Sequence, residues 1–202
     1  MPTSLIVVDD FLENAAPLRE AALRLTYPEQ HGAFPGRNSQ ERINIEGLAE
    51  QVSRLVNEPL VPLGHPQSHG KTRITLGNDE RRANVHVDPS HWSGILYLSK
   101  PGDCRGGTEI FRHIETNTDR APYNDAEART YGYASAKEMV DTILERDGQD
   151  ESKWERTMRV PMRFNRLVLL RPWLWHTAGP AFGDSLENGR LVYLMFFAST
   201  SR

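Results

Sequence analysis

Apolar positions along the chain change period twice. Leu5, Ile6, Val7 and Val8 form a β-branched run closed by Asp9, Asp10 and Phe11, which predicts a strand and a turn. Leu18, Ala21, Ala22 and Leu25 recur at helical spacing within Asn14–Thr26. Ile45, Leu48, Val52 and Leu55 mark a second amphipathic helix, stopped by Pro59 and Pro62. The intervening Tyr27–Gln40 is polar and rich in Pro and Gly, hence a loop. From Lys71 onward the texture is that of short strands, at Thr72–Leu76, Ala83–Asp88, Gly94–Ser99 and Thr108–Phe111. Further strands are predicted at Thr157–Pro161, Arg166–Arg171, Trp173–His176 and Arg190–Ala198. Residues 113–155 break this pattern. They are polar, with one helix opened by a Ser135–Glu138 capping box and continued by Met139, Val140, Ile143 and Leu144. This insert reads either as a lid or as a solvent-exposed excursion. Two helices followed by many short strands predict helices packed on an all-β barrel or sandwich.

Composition narrows the classes. A length of 202 residues predicts a single domain over 1–202, with a strand and helices in 1–70 and the β core in 71–202. The lone Cys104 excludes an internal disulfide framework and any all-thiolate zinc site. A net charge of -3 supplies no basic field for nucleic acid. No run approaches the roughly 18 apolar residues of a membrane span. The Met1–Leu5 start lacks a basic segment leading into an apolar one, so the expected location is the cytoplasm. Nothing in the sequence sets an oligomeric state.

The chemistry concentrates in three places. Side chains alternate along a strand, so His86 and Asp88 in His86-Val87-Asp88 share a face and offer two metal ligands from one segment. Alone, such a pair is more often a surface feature. His176 closes the apolar stretch Trp173-Leu174-Trp175, where an imidazole needs a partner, either a core carbonyl or a metal. Two histidines and one carboxylate leave up to three coordination positions open, the facial triad of non-haem iron(II) oxygenases. Three ligands are too few to close a structural zinc site. Arg190 heads the long apolar strand Leu191–Phe197 and shares a face with Val192, Leu194 and Phe196. It is either an exposed strand-start arginine or a guanidinium at a barrel mouth, where its fork suits a carboxylate.

His-x-Asp, a distant His and an Arg on the last strand together resemble the iron(II)/2-oxoglutarate-dependent dioxygenases. The closer resemblance is to their small prolyl-4-hydroxylase-like bacterial branch. Gly94-Ile95-Leu96-Tyr97-Leu98-Ser99 is similar to the strand that follows the first ligands. Gly106-Gly107-Thr108-Glu109-Ile110-Phe111 is similar to the family's Gly-Gly-x-Thr-x-Phe element, with the threonine one position early. Asn165–Leu170 leading to His176 resembles the hairpin that delivers the distal histidine, and Val8–Phe11 and Phe34–Arg37 resemble shorter bacterial relatives. The resemblance implies a double-stranded β-helix (jelly-roll, cupin-like) core with flanking helices. It implies iron(II) on His86, Asp88 and His176, with 2-oxoglutarate as cosubstrate, O2 as oxidant, and Arg190 on the far carboxylate. Tyr97 and Thr177 are implied as further cosubstrate contacts. Arg190 lies well beyond His176, so Thr177–Asn188 must bulge as a loop, which Gly179, Pro180 and Gly183 permit. Halogenases of this type lose the ligand carboxylate; Asp88 is present, which implies hydroxylation, desaturation or ring closure.

The expected substrate is a small molecule, an amino acid or a derivative, with a peptidyl residue as the alternative. His91, Arg112, His113, Arg171 and Trp173 are the candidate substrate contacts, Arg112 and Arg171 for a carboxylate. Trp173, Trp175, Tyr193, Phe196 and Phe197 read most simply as core, and His31, His65 and His69 as solvated loop residues. Two rivals share the fold: a cupin-like metal enzyme that does not use 2-oxoglutarate, and a non-catalytic jelly-roll binding module.

Overall fold

The computed structural model describes residues 3–29, 35–79 and 85–200; His31, Phe34, Ala83 and Asn84 lie outside the described residues. The chain runs β1 (Leu5–Val8), α1 (Ala16–Leu23), β2 (Arg37–Asn38), α2 (Leu48–Val56), β3 (Leu60–Pro62), β4 (Thr72–Thr75), β5 (Trp92–Tyr97) and β6 (Gly107–His113). It continues through α3 (Asp125–Thr130), α4 (Ala136–Asp147), a 3-10 turn (Glu151–Lys153), β7 (Trp154–Pro161), β8 (Leu167–Leu170), β9 (His176–Thr177) and β10 (Arg190–Ser199). A large antiparallel sheet has the order β1-β8-β5-β10-β4-β2, with β3 added on the far half of β10. A small antiparallel sheet has the order β7-β6-β9. This mostly antiparallel pair of sheets with flanking helices is the jelly-roll architecture expected.

Strands covered on both faces read as continuous apolar runs. Leu167, Val168, Leu169 and Leu170 of β8 are all fully buried for that reason. Leu167 and Leu169 face a core built with Leu18 and Ala22 of α1 and Leu48, Val52 and Val56 of α2. Val168 and Leu170 face the opposite way, toward Val160 of the small sheet and Met162 just beyond β7. The same division runs along β10: Leu191, Tyr193, Met195 and Phe197 join the helices, while Val192 and Leu194 look between the sheets. Removing a buried leucine here costs about 2–5 kcal/mol, by lost transfer energy plus the cavity left behind.

Several expectations are corrected. Ala83–Asp88 is not a strand in its described part; His86 makes one isolated bridge, to His176. The distal strand starts at His176, because Pro172 and Trp173 turn first. β3 forms in the Pro-flanked Leu60–Pro62, where an edge position tolerates the missing N–H of proline. α3 was masked by its lack of an apolar period; Asn124 caps it by accepting from Glu127 N–H at 3.0 Å. The capping box of α4 is present, Ser135 accepting from Glu138 N–H, but the Glu138 carboxylate returns to Ala134 N–H. His69 is half-buried rather than solvated, its ring edge-on to Phe197 and its Nδ1 beside Phe196.

The insert docks. Met139 and Ile143 of α4 and Ala128 of α3 pack with Trp154 and Trp175 on the outer face of the small sheet. His113 ends β6 with no exposed surface, its Nε2 bonded to the buried Asp147 carboxylate at 2.9 Å and its Nδ1 to Thr116. Arg146 bonds the same carboxylate and, despite the opposing effect of burial and with help from His113, holds it below its ordinary value of 3.8. Asp147→Ala leaves a buried imidazole N–H unsatisfied, and we expect about 1–3 kcal/mol lost in urea unfolding. Because the folded carboxyl is lowered, the wild-type advantage is fully present above pH 3.8 and declines as pH falls below it. A pH-independent difference would refute the assignment.

Candidate functional site

Antiparallel register decides what lies between the sheets. On β10, Val192, Leu194 and Phe196 pair with Tyr97, Ile95 and Ser93 of β5; Arg190 and Val192 pair with Thr75 and Arg73 of β4. These residues occupy one face, opposite the helices. Across from them, His176 of β9 pairs with Ile110 of β6. A cavity of about 330 Å3 lies between, lined by His86, Asp88, His176, Ser93, Thr108, Thr177, Arg73, Arg190 and the apolar Ile95, Val192 and Leu194.

Backbone pairing brings together the three candidate metal ligands. His86 N–H donates to His176 O at 2.9 Å and His176 N–H to His86 O at 3.2 Å, and Asp88 N–H reaches Pro172 O at 3.1 Å. The two imidazoles therefore sit side by side, with centroids 4.3 Å apart. One donor atom from each of His86, Asp88 and His176 falls within 4.8 Å of the others, a spacing that suits one metal ion. Asp88 Oδ1 is 3.7 Å from His86 Nε2, and Oδ2 is 3.4 Å from His176 Nε2. His176 Nδ1 lies 2.7 Å from Leu174 O, so its hydrogen belongs there and Nε2 is left with its lone pair toward the site. The carbonyl partner foreseen for His176 is thus present on Nδ1, and Nε2 faces the donor atoms of Asp88. Ser93 Oγ donates to Asp88 Oδ2 at 2.6 Å and fixes the carboxylate plane. Burial alone would raise the Asp88 carboxyl, but the bond and charge of His176, then His86 and Ser93, hold it well below the usual range. Burial alone would lower His176; Asp88 reverses that and raises it.

Arg190 is only 3% exposed, and its side chain makes no hydrogen bond or ion pair among the described residues, its Nε wholly enclosed. Burial pushes its pKa down, and Tyr97 only partly restores it. Tyr97 itself touches Thr108 rather than open cavity: its hydroxyl accepts Thr108 N–H at 2.8 Å and lies 2.7 Å from Thr108 Oγ1. Thr177 lines the cavity beside His176. The loop between His176 and Arg190 bulges as expected, and Arg19 holds it by donating to Glu187 O at 2.6 Å. Gly179 enters it with φ +74 against Gly107, where a Cβ would stand 2.2 Å from Gly107 O.

The other candidates fall outside this cavity. Arg112 is on the surface, paired with Asp119 and Glu155. His113 is the sealed partner of Asp147. Arg171 pairs with Glu58 and lies over the Trp92 and Trp173 rings at 4.2 and 5.1 Å, and His91 shares that glutamate. Trp173 packs edge-on against Tyr123. Phe196, assigned to the core by sequence, lines the cavity instead. Sequence reasoning missed Arg73, Ser93 and Thr108. For Arg73 the signal existed: a cation alternating with Ile74 inside a short strand, the pattern that singled out Arg190.

Solved structures share this fold at low identity. HygX from Streptomyces hygroscopicus, with nickel, 2-oxoglutarate and hygromycin B bound, superposes with a TM-score of 0.55 at 13% identity, covering 98% of this chain and 84% of that one. The non-heme alpha ketoglutarate dependent carbocyclase SnoK from nogalamycin biosynthesis gives 0.57 at 13% identity, over 98% and 87%. No curated protein sequence matches the chain. A sequence profile does match, over residues 79–197, the stretch that carries His86, Asp88, His176 and Arg190: the chain belongs to a family of unknown function, DUF6445.

Proposed function

We propose that this protein is a non-haem iron(II)- and 2-oxoglutarate-dependent oxygenase of a small molecule. The observation that carries this reading is Arg190. A buried guanidinium without a carboxylate is costly, and this one lines the same cavity as a three-donor metal site. A ligand that chelates the metal at one end and presents a carboxylate at the other satisfies both. 2-Oxoglutarate is such a ligand, and the bound ligands of HygX support the choice. The donor set fits iron(II): two neutral imidazoles and one carboxylate, with coordination positions left for cosubstrate and O2.

Together, iron(II), 2-oxoglutarate and O2 supply oxidation of an unactivated C–H bond with release of succinate and CO2. The protein's own part is placement. His86, Asp88 and His176 hold the metal, with Ser93 and Leu174 O orienting Asp88 and His176. Arg190 takes the far carboxylate, and Tyr97 acts through Thr108, whose position it fixes, while Thr177 borders the same space. Ile95, Val192 and Leu194 exclude water along the path between them. Asp88 occupies the position that a halide would need, so hydroxylation, desaturation or ring closure is the expected outcome.

The first test is anaerobic. Protein loaded with iron(II) and titrated with 2-oxoglutarate should develop the weak visible charge-transfer band of the chelate. Arg190→Met should raise the cosubstrate concentration needed by at least about tenfold, since a charged hydrogen bond is worth about 1.5–3 kcal/mol. Iron binding without a band would instead favour the cupin-like rival. Separately, His86→Ala and His176→Ala should each lower bound zinc(II), measured calorimetrically, from one equivalent toward none; retained stoichiometric binding would remove the triad from the metal site.

A further inference from the structure

The cavity holds a second arginine to which the oxygenase reading gives no role. Arg73 on β4 stands directly across from Val192, so its side chain shares the inner face with Arg190. Its Nε and Nη2 donate to Pro35 O, and its Nη1 to Asn38 Oδ1 at 2.8 Å. A guanidinium carries five N–H donors. Three bonds to neutral acceptors fix its orientation and leave two donors. No carboxylate among the described residues is in ion-pair contact with it. Burial, then the charge of Arg190, push Arg73 down to about 10, and Asp79 offsets this only in part. Two like charges in one partly enclosed cavity are costly unless anions join them.

Counting charge turns this into a statement about substrate. Among the described lining residues Asp88 is the one acid, set against Arg73 and Arg190. A divalent ion on the triad brings the cavity to three net positive charges, and the 2-oxoglutarate dianion removes two. The remaining charge sits at Arg73, because Arg190 is matched by the cosubstrate. We infer that the primary substrate is a compact carboxylic acid whose carboxylate docks on Arg73, beside Asn38, Gln67 and Ser68 on the same wall. This rests on the oxygenase reading, which gives the metal and Arg190 their own anions. Register sets the distance: Arg73 lies two strands from β5, about 10 Å at roughly 4.8 Å per strand. It is level with Val192, four residues along β10 from the Phe196 that faces Ser93, about 13 Å at roughly 3.3 Å per residue. Its Cα thus stands roughly 16 Å from that of Ser93 beside the metal ligands. An acid held at Arg73 therefore presents carbons some atoms away to the metal. At about 330 Å3 the cavity is near the lower end of small-ligand sites, roughly 300–1,000 Å3, hence a compact substrate. The carboxylate contact expected of Arg112 or Arg171 passes to Arg73, since both of those are committed to acidic partners outside the cavity.

The test uses protein loaded with zinc(II) and 2-oxoglutarate, so that no turnover occurs. A ladder of monocarboxylic acids, acetate to hexanoate, is titrated calorimetrically beside the matching amides. We expect at least one acid to bind about tenfold or more tightly than its amide. Arg73→Met should abolish that preference while leaving the 2-oxoglutarate titration within about threefold of wild type. Arg73→Lys, which keeps the charge, should retain part of the preference and serves if the methionine variant does not fold. Acids and amides binding alike, or no acid binding, overturns the proposal. So does an Arg73→Met variant that loses 2-oxoglutarate as severely as Arg190→Met, which would place Arg73 in the cosubstrate site. Failure of the oxygenase reading looks different: wild-type protein with iron(II) and 2-oxoglutarate shows no visible band. The acid-against-amide comparison, wild type against Arg73→Met on protein loaded with zinc(II) alone, then still decides whether Arg73 binds carboxylates.

Discussion

The reciprocal backbone bonds between His86 and His176 are the junction on which the site depends. They join a segment before β5 to a two-residue strand of the small sheet and put two imidazoles on the same side of that junction. Asp88 follows by alternation, and its own N–H is tied to Pro172 O, just ahead of the distal histidine. The three donor atoms thus arise from one short stretch of pairing whose register cannot slip by one residue without turning both rings away. The small sheet contributes little area of its own here. It is braced from behind by Trp154 and Trp175 and the two insert helices, which pack against the face opposite the ligands.

The electrostatics of the cavity follow from the same frame. The inner face of the large sheet is apolar around Ile95, Val192 and Leu194, yet carries a guanidinium on each of β4 and β10. Elsewhere the buried Arg171 and the half-buried Arg120 and Arg166 are met by acids, at Glu58, Glu127 and Asp9. Arg73 and Arg190, which line the cavity, have no acid among the described residues in ion-pair contact. That contrast supports reading the cavity as a site for anionic ligands.

Much of this was legible in the chain itself. The continuous apolar runs of β8 and β10 reported strands covered on both sides, and His86, Asp88, His176 and Arg190 stood out because each is a polar group where burial is expected. What was hidden depends on contacts distant in sequence. His86 looked like part of a strand because Val85 and Val87 flank it, but its pairing is a single bridge. His113 and Arg171 looked available because their acids, Asp147 and Glu58, lie far off in sequence, and Arg112 because a loop brings Asp119 back to it beside the distant Glu155. β3 and α3 carry too few apolar positions for a period to show. Phe196 shows the limit of composition: an aromatic on a core strand faces the cavity because the strand has two buried sides and only one is packed solid.

His113 and Trp154 are opposite partners across β6 and β7, so residues 114–153 leave and return at a single rung of the small sheet. Topologically they are an enlarged hairpin loop. Closing such a loop costs only about 0.6 kcal/mol more for each doubling of its length, so its size is almost free to drift. What is not free is the surface it shields, where Trp154 and Trp175 are buried. A lineage can therefore lengthen, shorten or rebuild this segment without disturbing the pairing that orients His176, provided each version still covers the two indoles. The scaffold separates the part of the molecule that must stay from the part that can be exchanged.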